Sequence, residues 1–200
     1  MCGRYYIKED CWDKAAEDFS ILKDRTDGTL PCGDISPGMP AVSITAGRQT
    51  EAAVQTLLWG FAGFARGKRI INARSEGVRQ KPLFADSFRE RRCVLPCSGF
   101  YEWDARKEKV TFTLSGENVL YLAGIFRPYG EEKHFVILTR EANASMQPVH
   151  DRMPLLIRKE DVVSWLTDYQ AAEEILMQPL PELQAKRDYE QYSLFENGVL

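Results

Sequence analysis

The 200-residue chain has no run approaching the roughly 20 consecutive apolar residues that span a bilayer. Its first residues also lack the basic-then-apolar order of a secretory signal. Neither a membrane anchor nor export is expected, and a cytoplasmic, reducing location is. Histidine is scarce, with two in the whole chain, and the five cysteines (Cys2, Cys11, Cys32, Cys93, Cys97) are odd in number and scattered. That argues against a disulfide framework. Cys93 and Cys97 have C-x3-C spacing, but Pro96 lies between them and no histidine is nearby. They read as buried small hydrophobes, so neither a metal nor another cofactor is expected. There is no internal repeat, low-complexity tract or long linker.

What is present suits an ordinary globular protein: 44% hydrophobic and 28% charged residues, in a length ample for a proper core. A single domain over residues 1–200, acting as a monomer, is the economical expectation. Net charge is −3, unevenly spread. Between Gly60 and Val110 there are twelve Lys/Arg against six Asp/Glu, which leaves fourteen against twenty-three elsewhere. An acidic protein with a basic middle suggests one face for a polyanion, with a solvated surface as the competing reading.

Residues 9–23 place Trp12, Ala15, Ala16, Phe19 and Leu22 at helical spacing, which predicts an amphipathic helix after a short N-terminal strand. The middle of the chain is β-like. AVSIT (41–45), VQTLLWGF (54–61), RIINA (69–73), KVTFTL (109–114), VLYLAGIF (119–126) and HFVILT (134–139) are rich in β-branched and aromatic residues and are separated by turn formers. Residues 159–178 predict a second helix, and 188–195 a last strand. The fold class that follows is α+β, with a curved, mainly antiparallel, barrel-like sheet and flanking helices.

Four stretches put polar groups where a scaffold does not need them: MCGR at the start, IINARSE (70–76), CSGFYEW (97–103) and PVHDRMP (148–154). Each has a scaffold reading: an inert cysteine, a turn with a salt bridge, a carboxylate facing solvent from a strand, a hydrogen-bonded loop. Their reactive readings differ. Excision of Met1 would leave Cys2 with a free α-amine and a thiol on one residue. A carboxyl group enclosed by Tyr101 and Trp103 would be desolvated, which suits Glu102 to general acid/base work. His150 sits in a polar turn bracketed by Pro148 and Pro154.

Together, and in this order with an SPG turn and WGF between them, these segments resemble the SOS-response-associated peptidase (SRAP) family. The resemblance runs from Cys2 to about Trp165. Members of that family sense and shield abasic sites in single-stranded DNA. The resemblance therefore implies a single-stranded DNA partner carrying abasic sites, and catalytic roles for Cys2, Asn72, Glu102 and His150. It matches Arg4 and Arg74 to phosphate-binding arginines. Arg152 is a candidate for a further phosphate contact, and Thr139 for lining the pocket. Trp59, Phe61, Phe64 and Trp103 are candidates for contacting neighbouring bases, with core packing the competing reading for Trp59 and Phe61.

An abasic site presents a C1′ aldehyde, and an N-terminal cysteine is a 1,2-aminothiol that captures aldehydes as a thiazolidine. With an α-amino pKa of ~7.7–8.0, roughly a quarter of that amine is unprotonated at pH ~7.4, a ~200-fold advantage over an unperturbed lysine. A lyase side reaction through the Schiff base is implied as well. Two features depart from the family pattern: DISPG (34–38) carries Asp34 where many relatives have a neutral amide turn, and AGFARGK lacks the usual Pro and Trp. Two other classes remain open. One is a thiol peptidase with Cys2 as nucleophile beside His150 and Glu102. The other is a non-catalytic reader of damaged or modified DNA.

Overall fold

In the computed structural model, residues 2–25, 30–47, 52–63, 65 and 67–187 are described. The chain runs β1 (Tyr5–Ile7), α1 (Glu9–Asp18), β2 (Gly33–Ile35), β3 (Pro40–Ala46), β4 (Ala52–Trp59), β5 (Phe61–Ala62), β6 (Arg69–Ile70) and β7 (Asn72–Arg74). It continues with α2 (Pro82–Glu90), β8 (Arg92–Cys97), β9 (Gly99–Trp103), β10 (Lys109–Leu114), β11 (Leu120–Tyr129), β12 (Glu132–Glu141), β13 (Arg152–Pro154) and β14 (Leu156–Ile157). Helices α3 (Val162–Thr167) and α4 (Tyr169–Ile175) and strand β15 (Leu183–Arg187) complete it. Five strands form one sheet in the order β15-β10-β9-β1-β2. A larger sheet runs β13-β12-β4-β3-β8-β11-β14, with β7 beside β12. Among the described residues the pairings are antiparallel except where β12 lies along β4 and β7. The mainly antiparallel α+β expectation is met. Strands β5 and β6 form a short pair of their own, and one cluster of buried side chains joins all three sheets and the four helices.

The strand expectations hold closely for KVTFTL, which is β10 to the residue, and for AVSIT and HFVILT inside β3 and β12. VQTLLWGF breaks after Trp59, because Gly60 takes φ +114° and a Cβ there would press on the Arg69 side chain at 3.1 Å. The first helix ends at Asp18, before Phe19 turns extended at φ −135°, and a 3₁₀ segment over Ser20–Arg25 follows. The single helix expected over 159–178 is a 3₁₀ turn and two short helices. Asp168 breaks it: extended itself, it accepts hydrogen bonds at Oδ1 from the backbone N–H of Gln170 (2.8 Å) and Ala171 (3.2 Å), an N-cap for α4. Residues 188–195 lie outside the described ones; the last described strand is β15, just before them. Strand β8 and helix α2 were not anticipated from the sequence.

Arg92 opens β8 and is 4% exposed. Its guanidinium donates to the carbonyls of Phe88 (2.7 Å), Arg89 (2.6 Å) and Leu166 (3.3 Å), and to that of Trp165. These are the last-turn carbonyls of α2 and α3, which have no partners within their own helices. Burial pulls the guanidinium below its ordinary pKa, so the charge is held at a cost that the four acceptors offset. Arg92→Met strands those carbonyls, at about 1–3 kcal/mol for each one left buried. A lower denaturation midpoint at unchanged m-value is the expected reading.

Candidate functional site

Cys2 precedes β1 and is wholly buried. Strand β1 pairs with β9 through Tyr5 and Phe100, and the Tyr101 N–H donates to the Arg4 carbonyl at 3.0 Å. This ladder draws the N-terminal segment along the strand that carries Glu102. Asn72 opens β7, and its Nδ2 donates to the Cys2 carbonyl oxygen at 3.0 Å. A residue near the end of the chain is thus anchored by a side chain 70 positions away. Asn72 Oδ1 is buried and has no hydrogen-bond partner among the described residues.

Glu102 is 5% exposed. The sequence reading had Tyr101 and Trp103 enclosing it, and the structure corrects the cause. Side chains alternate along a strand, so Glu102 shares the inner face with Phe100 while Tyr101 and Trp103 point the other way. The burial comes from the fold interior. Glu102 also acts on Cys2: burial chiefly, and the Glu102 charge next, push the Cys2 thiol well above its usual pKa. The sulfur is therefore a neutral thiol at physiological pH.

The His150 turn is built on Met146, whose carbonyl accepts from the His150 N–H at 3.0 Å. His150 Nδ1 lies 2.9 Å from the Arg152 backbone nitrogen and 2.8 Å from Asp151 Oδ1. His150 Nδ1 thus faces a backbone donor and a carboxylate at the same time. Arg152 grips Glu76 with both arms of its fork (2.6 and 2.8 Å) and donates to the Thr139 carbonyl at 2.7 Å. Strand β12 has β7 on one edge and β13 on the other, with Thr139 opposite both Arg74 and Pro154. The Arg152–Glu76 pair closes that arrangement, holding the His150 turn to the segment that follows Asn72. Thr139 itself is buried, with Oγ1 lacking a partner among the described residues.

Arg152 holds Glu76 well below the usual carboxylate range, down to about 2. Because the folded pKa is depressed, the stabilisation is whole above the ordinary carboxylate pKa near 4.5 and is lost as pH falls from there towards 2. Amide protection in the 148–154 turn, taken relative to the intrinsic exchange rate at each pH, is expected to fall over that window in the parent protein, and to be low already at neutral pH in Glu76→Gln.

Arg4 and Arg74 are exposed. The Arg4 guanidinium sits 5.7 Å from the Trp103 ring centroid and 3.7 Å from Asp34 Oδ2, so the departure at Asp34 faces a candidate phosphate contact directly. Trp103 is 40% exposed. Trp59 and Phe61 are fully buried, Trp59 stacked on Phe135 and donating to the Ile71 carbonyl, so both belong to the core. Phe64 lies outside the described residues. Cys93 and Cys97 are buried along β8 as free thiols. Among the described residues there is no cluster of three or more His, Cys, Asp or Glu able to hold a metal. No helix among them is long and apolar enough to cross a membrane. The sequence reading passed over Tyr6 and took Tyr101 only as a neighbour of Glu102, although alternation with buried neighbours marks both.

The architecture recurs in crystal structures from Bordetella bronchiseptica. One protein matches at a TM-score of 0.77 and 22% identity, covering 93% of this chain and 99% of that one. A phage-related protein matches at 0.74 and 25%, covering 93% of each. The fold and the assembled segments define an SRAP domain. The family model described as SOS response associated peptidase (SRAP) matches residues 1–194, and the chain belongs to that family. Among its relatives are the abasic site processing proteins YoqW of Bacillus subtilis and YedK of Escherichia coli. YoqW is 28% identical over 181 residues, covering 83% of this chain and 80% of the relative. YedK is 26% identical over 179 residues, covering 83% and 79%.

Proposed function

We propose that this protein, once Met1 is removed, captures the aldehyde of abasic sites in single-stranded DNA as a thiazolidine on Cys2 and so shields the lesion. The observation that carries the proposal is the Asn72 Nδ2 hydrogen bond to the Cys2 carbonyl, which anchors the N-terminal residue on the strand ladder bearing the buried Glu102. Abasic site processing relatives supply the substrate class.

As the sugar ring opens, Glu102 carries the proton that leaves the C1′ hydroxyl to the ring oxygen, so the bond from C1′ to that oxygen breaks and the C1′ aldehyde is exposed. The α-amine of Cys2 adds to C1′, and loss of water leaves the imine. The thiol then adds across the C=N bond, with its S–H proton passing to nitrogen. One aldehyde and one aminothiol become one thiazolidine and one water. Asn72 Oδ1 accepts from the amine or a sugar hydroxyl, His150 relays protons, and Arg4 and Arg74 hold the flanking phosphates. Thr139 lines the pocket and Trp103 meets a neighbouring base. Arg152, committed to Glu76, acts by positioning the His150 turn.

The raised Cys2 thiol favours this order of events over the peptidase reading. A thiol nucleophile needs its thiolate, which calls for a lowered pKa, whereas burial and the Glu102 charge act in the opposite direction. An amine that attacks first needs no thiolate. Imine formation also acidifies the carbon beside C1′, so strand scission by β-elimination competes whenever ring closure is slow.

The deciding experiment mixes the purified protein with single-stranded DNA carrying one abasic site and reads intact mass and mobility on a denaturing gel. The adduct mass should equal the des-Met1 protein plus DNA minus one water. Undamaged DNA should give none. Absence of any adduct despite complete Met1 removal sinks the proposal and leaves the peptidase and DNA-reader readings.

A further inference from the structure

The outer face of the five-stranded sheet, opposite to the one that buries Glu102, carries a pattern the site does not use. Directly opposed residues of an antiparallel ladder share a face. Lys186, Thr111, Tyr101 and Arg4 form one row across β15, β10, β9 and the start of β1, and Trp103 with Lys109 forms the next. Three strand spacings separate the ends of the first row, about 14 Å.

The aromatic residues on this face are ordered. Tyr6 and Tyr101 stack with centroids 5.0 Å apart and planes at 19°. Tyr6 lies across Gly99, where an added Cβ would come within 2.7 Å of the phenol oxygen and 2.6 Å of the Phe112 carbonyl, so glycine is what lets the ring lie down on the sheet. Lys109 Nζ stands 4.7 Å from the Tyr101 centroid and Lys8 Nζ 6.0 Å from that of Tyr6. With Arg4 over Trp103, three cations stand over aromatic rings on one sheet surface. Among the described residues, the strands of this face hold the carboxylate of Asp34, which accepts from Tyr101 OH at 3.3 Å and faces Arg4, and Asp10 in the first turn of α1 also acts on Tyr6. Against these stand Arg4, Lys8, Lys109 and Lys186. Two further carboxylates lie in the turn after Trp103. Asp104 is occupied by the Arg106 and Glu108 backbone N–H groups and by Arg187 at 3.7 Å, and Glu108 is exposed.

We infer that this face is a track for the undamaged single strand on one side of the lesion, with phosphates held by Lys8, Lys109 and Lys186 and bases meeting the Tyr6–Tyr101 pair. The occupant is a single-stranded nucleic acid because cations interleaved with aromatic rings match a chain of alternating phosphates and π-faces, without base-edge readout. The track is also continuous with Arg4 and Trp103 at the edge of the candidate site. Its position beside a lesion rests on the proposed function, whereas its capacity to bind undamaged strand does not.

The test measures fluorescence anisotropy with undamaged single strands and with abasic oligonucleotides lengthened stepwise on the 5′ or the 3′ side. It compares the parent with Lys8→Glu/Lys109→Glu and with Tyr6→Leu, each checked for folding by thermal melting. In the parent, affinity should rise with extension on one side only. The double charge reversal should weaken binding of undamaged strand tenfold or more, and the salt slope should fall by about 0.7 for each phosphate that is no longer neutralised. Tyr6→Leu, which keeps the apolar cover over Gly99, should lose part of the length dependence while retaining the salt slope. Parent and variants binding alike, or an acidic peptide displacing the strand as well as a second oligonucleotide does, overturns the inference. Crosslinking is scored separately in the same samples. Length-dependent binding without an adduct removes the abasic-site chemistry and leaves the track, and an adduct without length dependence does the reverse.

Discussion

Cys2→Ala is expected to yield no denaturation-stable adduct with abasic single-stranded DNA, a loss limited only by the detection floor of the gel. Alanine keeps the α-amine after Met1 removal and still forms an imine. Without sulfur, however, nothing closes the ring, and the imine hydrolyses on denaturation. Cys2→Ser separates the chemistry further. Its hydroxyl is a far poorer partner for ring closure, so the imine persists and β-elimination gains time. Serine and alanine variants should therefore cut the strand at the lesion more than the parent does, and borohydride should trap their imines as stable amines. A peptidase would lose its nucleophile in both variants with no gain of strand scission. A plain DNA reader would bind abasic DNA equally in all three. The two substitutions thus assign the amine and the thiol to separate steps, which a single loss-of-function variant cannot do.

How the site assembles was only partly legible in the sequence. MCGR, INARSE, GFYEW and VHDRMP stood out because each sets a polar group against a short apolar or rigid context, and such contrasts are local. The strand ladders were legible for the same reason, since period-2 patterning in KVTFTL or HFVILT needs no partner to be recognised. What sequence could not supply is register. The hydrogen bond from Asn72 to Cys2 depends on β7 lying parallel to β12 and β1 lying along β9, pairings set by distant residues. The same gap explains Glu102. Its flanking aromatics suggested a local pocket, whereas alternation sends them to the outer face and leaves the carboxyl in the interior. Arg152 offered a phosphate contact by type alone, and only the fold shows its fork engaged with Glu76. Strand β8 escaped notice because RCVLPC contains a proline and two cysteines, residues that mask a strand fully buried on both faces.

Glu102→Gln is the second change with a large expected effect, and it draws on two opposing consequences of one charge. Glutamine matches the shape of the carboxyl and removes a buried charge, so the variant should fold at least as well as the parent. It cannot deliver a proton to the ring oxygen or take one from the carbinolamine, and losing a general acid/base costs about 10²–10⁴-fold in rate. Adduct formation should therefore become slow without becoming impossible. At the same time the Glu102 charge is the second cause, after burial, of the raised Cys2 thiol. Removing it lowers that thiol's pKa, so alkylation of Cys2 should begin at a lower pH in the variant. A variant that is slower with abasic DNA yet more reactive towards an alkylating agent would show that ring-opening or dehydration, rather than sulfur nucleophilicity, limits the parent. If the adduct forms within tenfold of the parent rate, the acid is not Glu102, and His150, whose Nδ1 faces both the Arg152 N–H and Asp151, becomes the proton donor to test.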